Sequence, residues 1–291
     1  MYKIDPLNYS VVRIQTFFNE TPVAKATGFF VEGIGKYADT DWLVTNWHVI
    51  TGRNAIDPSK ILHSMSAIPN RMKLEIPSTI GPNGTSEEGK LFFHEKTVEL
   101  YDAHGHATWY QHSEGSNVDV AVINLGKSCE GSLVRGINVL AAQYDMSIEI
   151  GNEIYILGYP LGFSHFANTP IWKRGSIASE PHSETPSSRN KIVIDGTTRS
   201  GMSGSPVVMR SKTHYATESG EIKAYLNATR YIGIYASRPA PVAARTEDEE
   251  SAGLTSHELG YVFKKGCVDD VITKGVRGED FGVGLKGAVS Q

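Results

Sequence analysis

Cysteine is nearly absent. Cys129 and Cys267 are the only two in 291 residues. Two cysteines cannot make the disulfide framework that staples small secreted domains. A single bridge or two free thiols are left, and two free thiols in a reducing compartment suit a chain of this length better. Charge of one sign is equally scarce. Lys and Arg number 28 against 32 Asp and Glu, a formal net charge of −4, with no basic block. That excludes the usual electrostatic footprint of a nucleic-acid binder or an anionic membrane surface. No stretch approaches the ~20 apolar residues that span a bilayer. The opening residues, MYKIDPLNYSVVRIQTFF, lack a basic segment followed by a continuous apolar one, so a cytoplasmic protein is expected. Helical periodicity is thin too: only 49–53 and 267–274 read as helix.

What is present is a succession of short β-type runs punctuated by Gly, Pro and Asn. They fall at 9–18, 24–32, 42–46, 73–76, 97–101 and 119–125, then at 153–157, 191–195, 206–209, 230–236 and 260–263. A looser segment near 126–138 separates the groups. Many short strands with few helices argue for closed or sandwiched β architecture. Residues 1–140 are expected to form one β lobe and 141–275 a second, with 276–291 a flexible, glycine-rich tail. Three polar excursions interrupt the pattern, at 77–89, 179–190 and 238–256. The last holds the acidic cluster TEDEES at Thr246–Ser251.

Three stretches carry chemistry. In Leu43-Val44-Thr45-Asn46-Trp47-His48-Val49-Ile50, an apolar strand runs straight into a histidine. In Asn117-Val118-Asp119-Val120-Ala121-Val122-Ile123, an aspartate opens an apolar strand. A buried carboxylate is costly unless it accepts hydrogen bonds or pairs with a cation. In Arg199-Ser200-Gly201-Met202-Ser203-Gly204-Ser205-Pro206, two glycines flank Ser203 and free the backbone for a tight turn. Singly, each has a plain reading: a core imidazole on a carbonyl, a strand-start carboxylate, a polar turn. Together they supply a hydroxyl, a base to take its proton and a carboxylate to fix the base's tautomer.

Those three motifs resemble the triad motifs of trypsin-like serine peptidases, and the disulfide-poor bacterial HtrA/Deg branch more than secreted digestive enzymes. Further matches are Thr27-Gly28-Phe29-Phe30-Val31 before the histidine, Gly158-Tyr159-Pro160-Leu161-Gly162, Tyr231-Ile232-Gly233-Ile234, and Leu259-Gly260-Tyr261-Val262 before the terminal helix. The resemblance spans roughly 10–275, with no PDZ domain read in the chain. It implies an all-β chymotrypsin-like fold of two six-stranded barrel lobes with a short C-terminal helix. His48 and Asp119 would lie in the first lobe and Ser203 in the second. It further implies Ser203 as nucleophile, His48 as base then acid, Asp119 as the group orienting the imidazole, and the backbone N–H groups of Gly201 and Ser203 as oxyanion donors. The primary specificity pocket would map onto Thr197, Thr198, Ser200, Ala236, Ser237 and Arg238. No metal or organic cofactor is implied. The substrate would be a protein or peptide, and oligomeric state is not legible.

Two departures from the family pattern matter. Secreted zymogens carry an aspartate immediately before the nucleophile, and Met202 cannot form that salt bridge. Ser205 replaces a common glycine. Thr197 stands where an aspartate would select Lys or Arg, so a small, polar or acidic residue is expected before the scissile bond. The expected activity is endopeptidase cleavage of narrow range, conceived by analogy as cutting a partner protein in stress or defence signalling. Two alternatives stand beside it: a binding module that keeps the triad over a collapsed oxyanion turn, and an esterase or acyl transferase. The group Asp102, His104, His106 and His112 reads as a polar loop rather than a metal site.

Overall fold

The computed structural model describes residues 4–81, 91–127, 132–141, 144–236 and 258–281. Its first half runs through β1 (Val11–Phe18), β2 (Thr21–Glu32), β3 (Asp41–Thr45), β4 (Arg71–Ser78), β5 (Phe92–Glu99), β6 (Trp109–Gln111) and β7 (Ala121–Asn124). The second half holds β8 (Glu153–Gly158), β9 (Ile171–Ile177), β10 (Lys191–Asp195), β11 (Pro206–Ser211), β12 (His214–Ala216), β13 (Ile222–Ala224), β14 (Ala228–Tyr235) and β15 (Leu259–Lys264). A helix, Lys265–Lys274, and a last short strand, β16 (Val276–Arg277), follow. Strands β10, β15, β14, β11, β8 and β9 close a barrel, whereas the first lobe is one sheet of eight strands ordered β16-β6-β7-β3-β2-β1-β4-β5.

The strands beside the site read as continuous apolar runs because both of their faces are covered. Along β2, Phe29 and Val31 enter a core shared by the two lobes, while Ala26 and Phe30 enter the first lobe's own core. Trp42 and Val44 of β3 divide from Leu43 in the same way, and Val122 of β7 from Ala121 and Ile123. Side chains alternate across a strand, so a strand wedged between two cores has no polar face to show. The shared core also takes Leu157, Val208, Tyr231 and Ile234 from the second barrel and Val268, Val271 and Ile272 from the terminal helix. Each such side chain removed from water is worth ~1.5–3 kcal/mol, which fixes the seam between the two lobes.

Local boundaries differ from the sequence expectation where caps and bends intervene. Residues Pro6–Ser10 form a 3-10 turn under the Asp5 side chain, so β1 begins at Val11. The strand expected from 119 begins at Ala121 and leaves Asp119 in irregular backbone two residues before it. The expected flexible tail needs correction at its start. Val276 and Arg277 pair with Gln111 and Tyr110 on β6, and the Gly278 N–H donates to the Trp109 carbonyl at 2.9 Å. The open edge of β6 supplied backbone partners that glycine content could not reveal. Cys267 is a free, buried thiol. Cys129 and the acidic cluster 246–251 lie outside the described residues. Among the described residues, no helix is long and apolar enough to cross a membrane.

Candidate active site

The histidine sits on a single helical turn. Strand β3 ends at Thr45, whose hydroxyl donates to the Thr27 carbonyl at 2.9 Å. A short helix, Trp47–Thr51, then begins, and Gly52 stops it in the left-handed region at φ 64°. Two buried contacts hold this turn. The Trp47 indole N–H donates to Gln111 Oε1 at 2.7 Å, and the Asn46 amide donates to the Asp119 carbonyl at 2.7 Å.

Asp119 spends both carboxylate oxygens on His48. Oδ2 lies 2.7 Å from the ring Nδ1, and Oδ1 accepts the His48 backbone N–H at 2.9 Å. The Asp119 side chain is 4% exposed and that of His48 16%. An ionised carboxylate can only accept, so Nδ1 carries the proton of the neutral ring and Nε2 presents a lone pair. The backbone contact fixes the position of the carboxylate, and the side-chain contact fixes the ring.

Ser203 occupies a turn stretched over Thr27. The Thr27 N–H donates to the Ser203 carbonyl at 2.9 Å, and its hydroxyl donates to the Gly201 carbonyl at 2.7 Å. Gly201 has φ 91°, and a Cβ there would stand 2.4 Å from the Tyr159 carbonyl oxygen, so only glycine fits. Gly204 is similar: its φ is 86°, and a Cβ would meet the Thr27 carbonyl oxygen at 2.0 Å. The Ser200 carbonyl accepts the Leu161 N–H at 2.6 Å. The N–H groups of Gly201 and Ser203 have no acceptor among the described residues. Two backbone donors beside a hydroxyl are what a developing oxyanion requires.

The match to known proteins is with the family model described as "Trypsin-like peptidase domain", over residues 26–213. The chain belongs to the trypsin-like peptidases. That family is one of serine proteases, and the strands and short C-terminal helix above are its chymotrypsin-like fold. Among solved structures, the active form of the Rv3671c protease from M. tuberculosis is 16% identical with a TM-score of 0.45, covering 95% of this chain and 85% of that one. Deg5 is 16% identical with a TM-score of 0.41, covering 79% of this chain and 80% of the other. AlgW, an HtrA-type protease solved with a tripeptide, is 12% identical with a TM-score of 0.44, covering 93% and 64%. No curated protein matches. The family assignment rests on the match over 26–213 and not on these weaker likenesses.

In this trypsin-like peptidase the expected specificity positions are scattered in character. Thr197 and Ser200 are exposed. Thr198 is buried, and its hydroxyl lies 2.5 Å from the Tyr235 hydroxyl. Ala236 is fully buried, and its N–H donates to the Tyr261 carbonyl at 3.0 Å. Ser237 and Arg238 lie outside the described residues. Met202, at the zymogen position, is fully buried in the second barrel's core. Two positioning residues escaped the reading of the sequence. Thr27 and Leu161 both lie inside motifs recognised there, TGFFV and GYPLG, but their hydrogen bonds depend on which turn faces which. The loop at 102–106 is held by its own aspartate: Asp102 Oδ1 accepts the N–H groups of His104 and His106 at 2.9 Å each. Among the described residues, no three His, Cys, Asp or Glu side chains converge as metal ligands would.

Proposed function

We propose that the chain is an endopeptidase that works through His48, Asp119 and Ser203. The observation that carries this is the state of the catalytic turn: the Gly201 and Ser203 N–H groups are free of described acceptors, while Asp119 holds His48 in the tautomer of a base. A collapsed turn would fold the Ser200 carbonyl back onto the Ser203 N–H; here Leu161 takes that carbonyl instead. This favours a hydrolase over a binding module that only keeps the triad.

In the proposed reaction, His48 Nε2 takes the Ser203 proton as Oγ attacks the substrate carbonyl. The oxyanion forms between the two N–H groups. His48 then returns the proton to the departing amine, leaving an acyl-enzyme, and a water activated by the same imidazole releases the acid. These steps call on no cofactor. With Met202 buried and apolar, the turn is held without the zymogen salt bridge. The aspartate nearest the expected pocket, Asp195, is exposed at the end of β10. Cleavage after small, polar or acidic residues, and not after Lys or Arg, follows as the proposed preference.

The test is labelling by a fluorophosphonate probe. The wild type is expected to be labelled at Ser203, and Ser203→Ala to lose the label while keeping its thermal unfolding profile. Equal labelling of the variant would overturn the assignment.

A further inference from the structure

We propose that this peptidase also selects its substrate on the leaving-group side, through a cationic recess at Lys25 that takes an acidic side chain two or three residues beyond the scissile bond. The inference rests on the peptidase reading above and deepens it.

Two sets of elements touch the catalytic turn. Residues 197–200 and Ala236 reach it from β10 and β14 of the second barrel. On its other flank, a Cβ at Gly201 would stand 3.2 Å from the Gly162 nitrogen. Strand β2 also runs there, holding the Ser203 carbonyl from Thr27. With the acyl side chain on the first set, the departing chain runs over the second. Lys25 lies in that path. It precedes Thr27 by two residues and shares its face of β2, roughly 6–7 Å along the strand. Its Cδ and Nζ would stand 2.8 and 3.3 Å from a Cβ at Gly162. Arg13 seals the same corner by donating to the Gly162 carbonyl at 3.0 Å.

Lys25 and Arg13 line one end of a recess of about 360 Å³ that also includes Phe17, Lys73, Glu75 and Glu95. Its charges do not cancel. Arg13 donates to both oxygens of Glu75 at 2.6 Å. Lys73 meets Glu95 at 2.7 Å. Lys25 has no ion-pair partner among the described residues, which leaves three cations against two anions. A substrate carboxylate arriving two or three extended residues past Ser203 meets an ammonium that neither Glu75 nor Glu95 is paired with. A substrate ammonium at the same place meets Lys25 as a like charge.

Capture of the acyl-enzyme by added amines reads this side directly. A p-nitrophenyl ester of a blocked amino acid acylates Ser203. An equimolar mixture of Ala-Glu-Ala-amide, Ala-Ala-Glu-amide and their Lys counterparts then competes for the acyl group. The amine nitrogen attacks the ester carbonyl, the new amide bond forms as the Ser203 Oγ–carbonyl bond breaks, and the amine's proton passes through His48 to Oγ. The wild type is expected to favour a Glu-containing amine about three- to fivefold, the yield of one exposed ion pair. Lys25→Ala should level the ratio and Lys25→Glu invert it. Equal capture of Glu and Lys amines by the wild type overturns the recess. A Glu preference that survives in Lys25→Glu overturns its assignment to Lys25. Absence of both ester turnover and fluorophosphonate labelling overturns the peptidase reading, and the subsite falls with it.

Discussion

The Leu161 backbone N–H donates to the Ser200 carbonyl at 2.6 Å. In the proposed mechanism, that bond fixes the Ser200–Gly201 peptide with the Gly201 N–H left without a described acceptor, as an oxyanion donor must be. It is held at a cost, because Leu161 sits at φ 56°, where a residue with a Cβ is disfavoured by ~1–2 kcal/mol. The buried Tyr159 anchors the same loop by donating its hydroxyl to the Asn168 carbonyl at 3.1 Å. Burial holds that phenol's pKa well above its ordinary value, so it stays a neutral donor.

A pair of substitutions separates the N–H from the side chain. Leu161→Gly keeps the donor and relieves the backbone, so its rate of fluorophosphonate labelling should match the wild type's. Leu161→Pro removes the donor and cannot adopt a positive φ. Its labelling rate should fall about 10²-fold, the effect of losing one oxyanion donor, with cooperative unfolding preserved. Equal rates in the two variants would show that the Ser200 carbonyl is held by something else.

Asp119→Asn tests the other half of the site. Both Asp119 oxygens accept from His48, one from the ring and one from the backbone. Asparagine has one acceptor and one donor end, so one of these contacts must become donor against donor. With the amide nitrogen toward the ring, Nδ1 is driven to accept and Nε2 to carry the proton, the wrong tautomer for a base. The expected loss in kcat is on the order of 10⁴, with little change in KM. A loss below tenfold would mean that Asp119 does not set the tautomer.

Much of this site was legible because its chemistry lies in short contiguous motifs. TNWHV, DVAV and GMSGSP each carry a candidate side chain beside a strand, and the structure brings His48 and Asp119 of the first two into contact. What could not be read was contact between motifs. Thr27 is an ordinary β-branched residue until β2 is laid against the Ser203 turn. Leu161 contributes through a backbone N–H that every residue but proline possesses. The specificity positions were placed by motif register alone, and register did not reveal that the Thr198 hydroxyl faces Tyr235. The start of the tail misled for the opposite reason: the composition of 276–291 is that of loose chain, whereas residues 276–278 are paired to an edge strand far away in sequence.

Cys267 gives a prediction about reactivity. Burial, its largest cause, pushes this thiol up to about 12. At pH 8 roughly one molecule in ten thousand then carries the thiolate that alkylating reagents require. In a Cys129→Ala background, iodoacetamide at pH 8 should leave Cys267 unmodified in the folded protein and modify it within minutes in 6 M guanidinium. Modification of the folded protein at the denatured rate would contradict the burial of this thiol on the core-facing side of the terminal helix.

The segment after the terminal helix should tie the histidine turn to acid conditions. Asp280 Oδ2 lies 2.8 Å from His106 Nδ1, and Oδ1 accepts the Ala107 N–H at 2.9 Å. The Phe281 ring then meets Trp47 edge-on at 6.3 Å, with the Arg53 guanidinium 4.7 Å from its centre. Trp47 adjoins His48, so this strap braces the turn that carries the base. Phe281→Ala should cost about 1–2 kcal/mol, less than a fully buried phenylalanine. The hydrogen bond from His106, and after it the one from Ala107, holds the Asp280 carboxyl below its ordinary pKa. A depressed carboxylate favours the folded state above its unfolded pKa, near 4, and loses that contribution as pH falls through the lower folded value. The stability gap between wild type and Asp280→Asn in urea unfolding, followed by tryptophan fluorescence, should therefore be present above pH 5 and narrow as pH falls below 4. A gap that persists at pH 3 would mean that Asp280 holds the strap through its shape and not its charge.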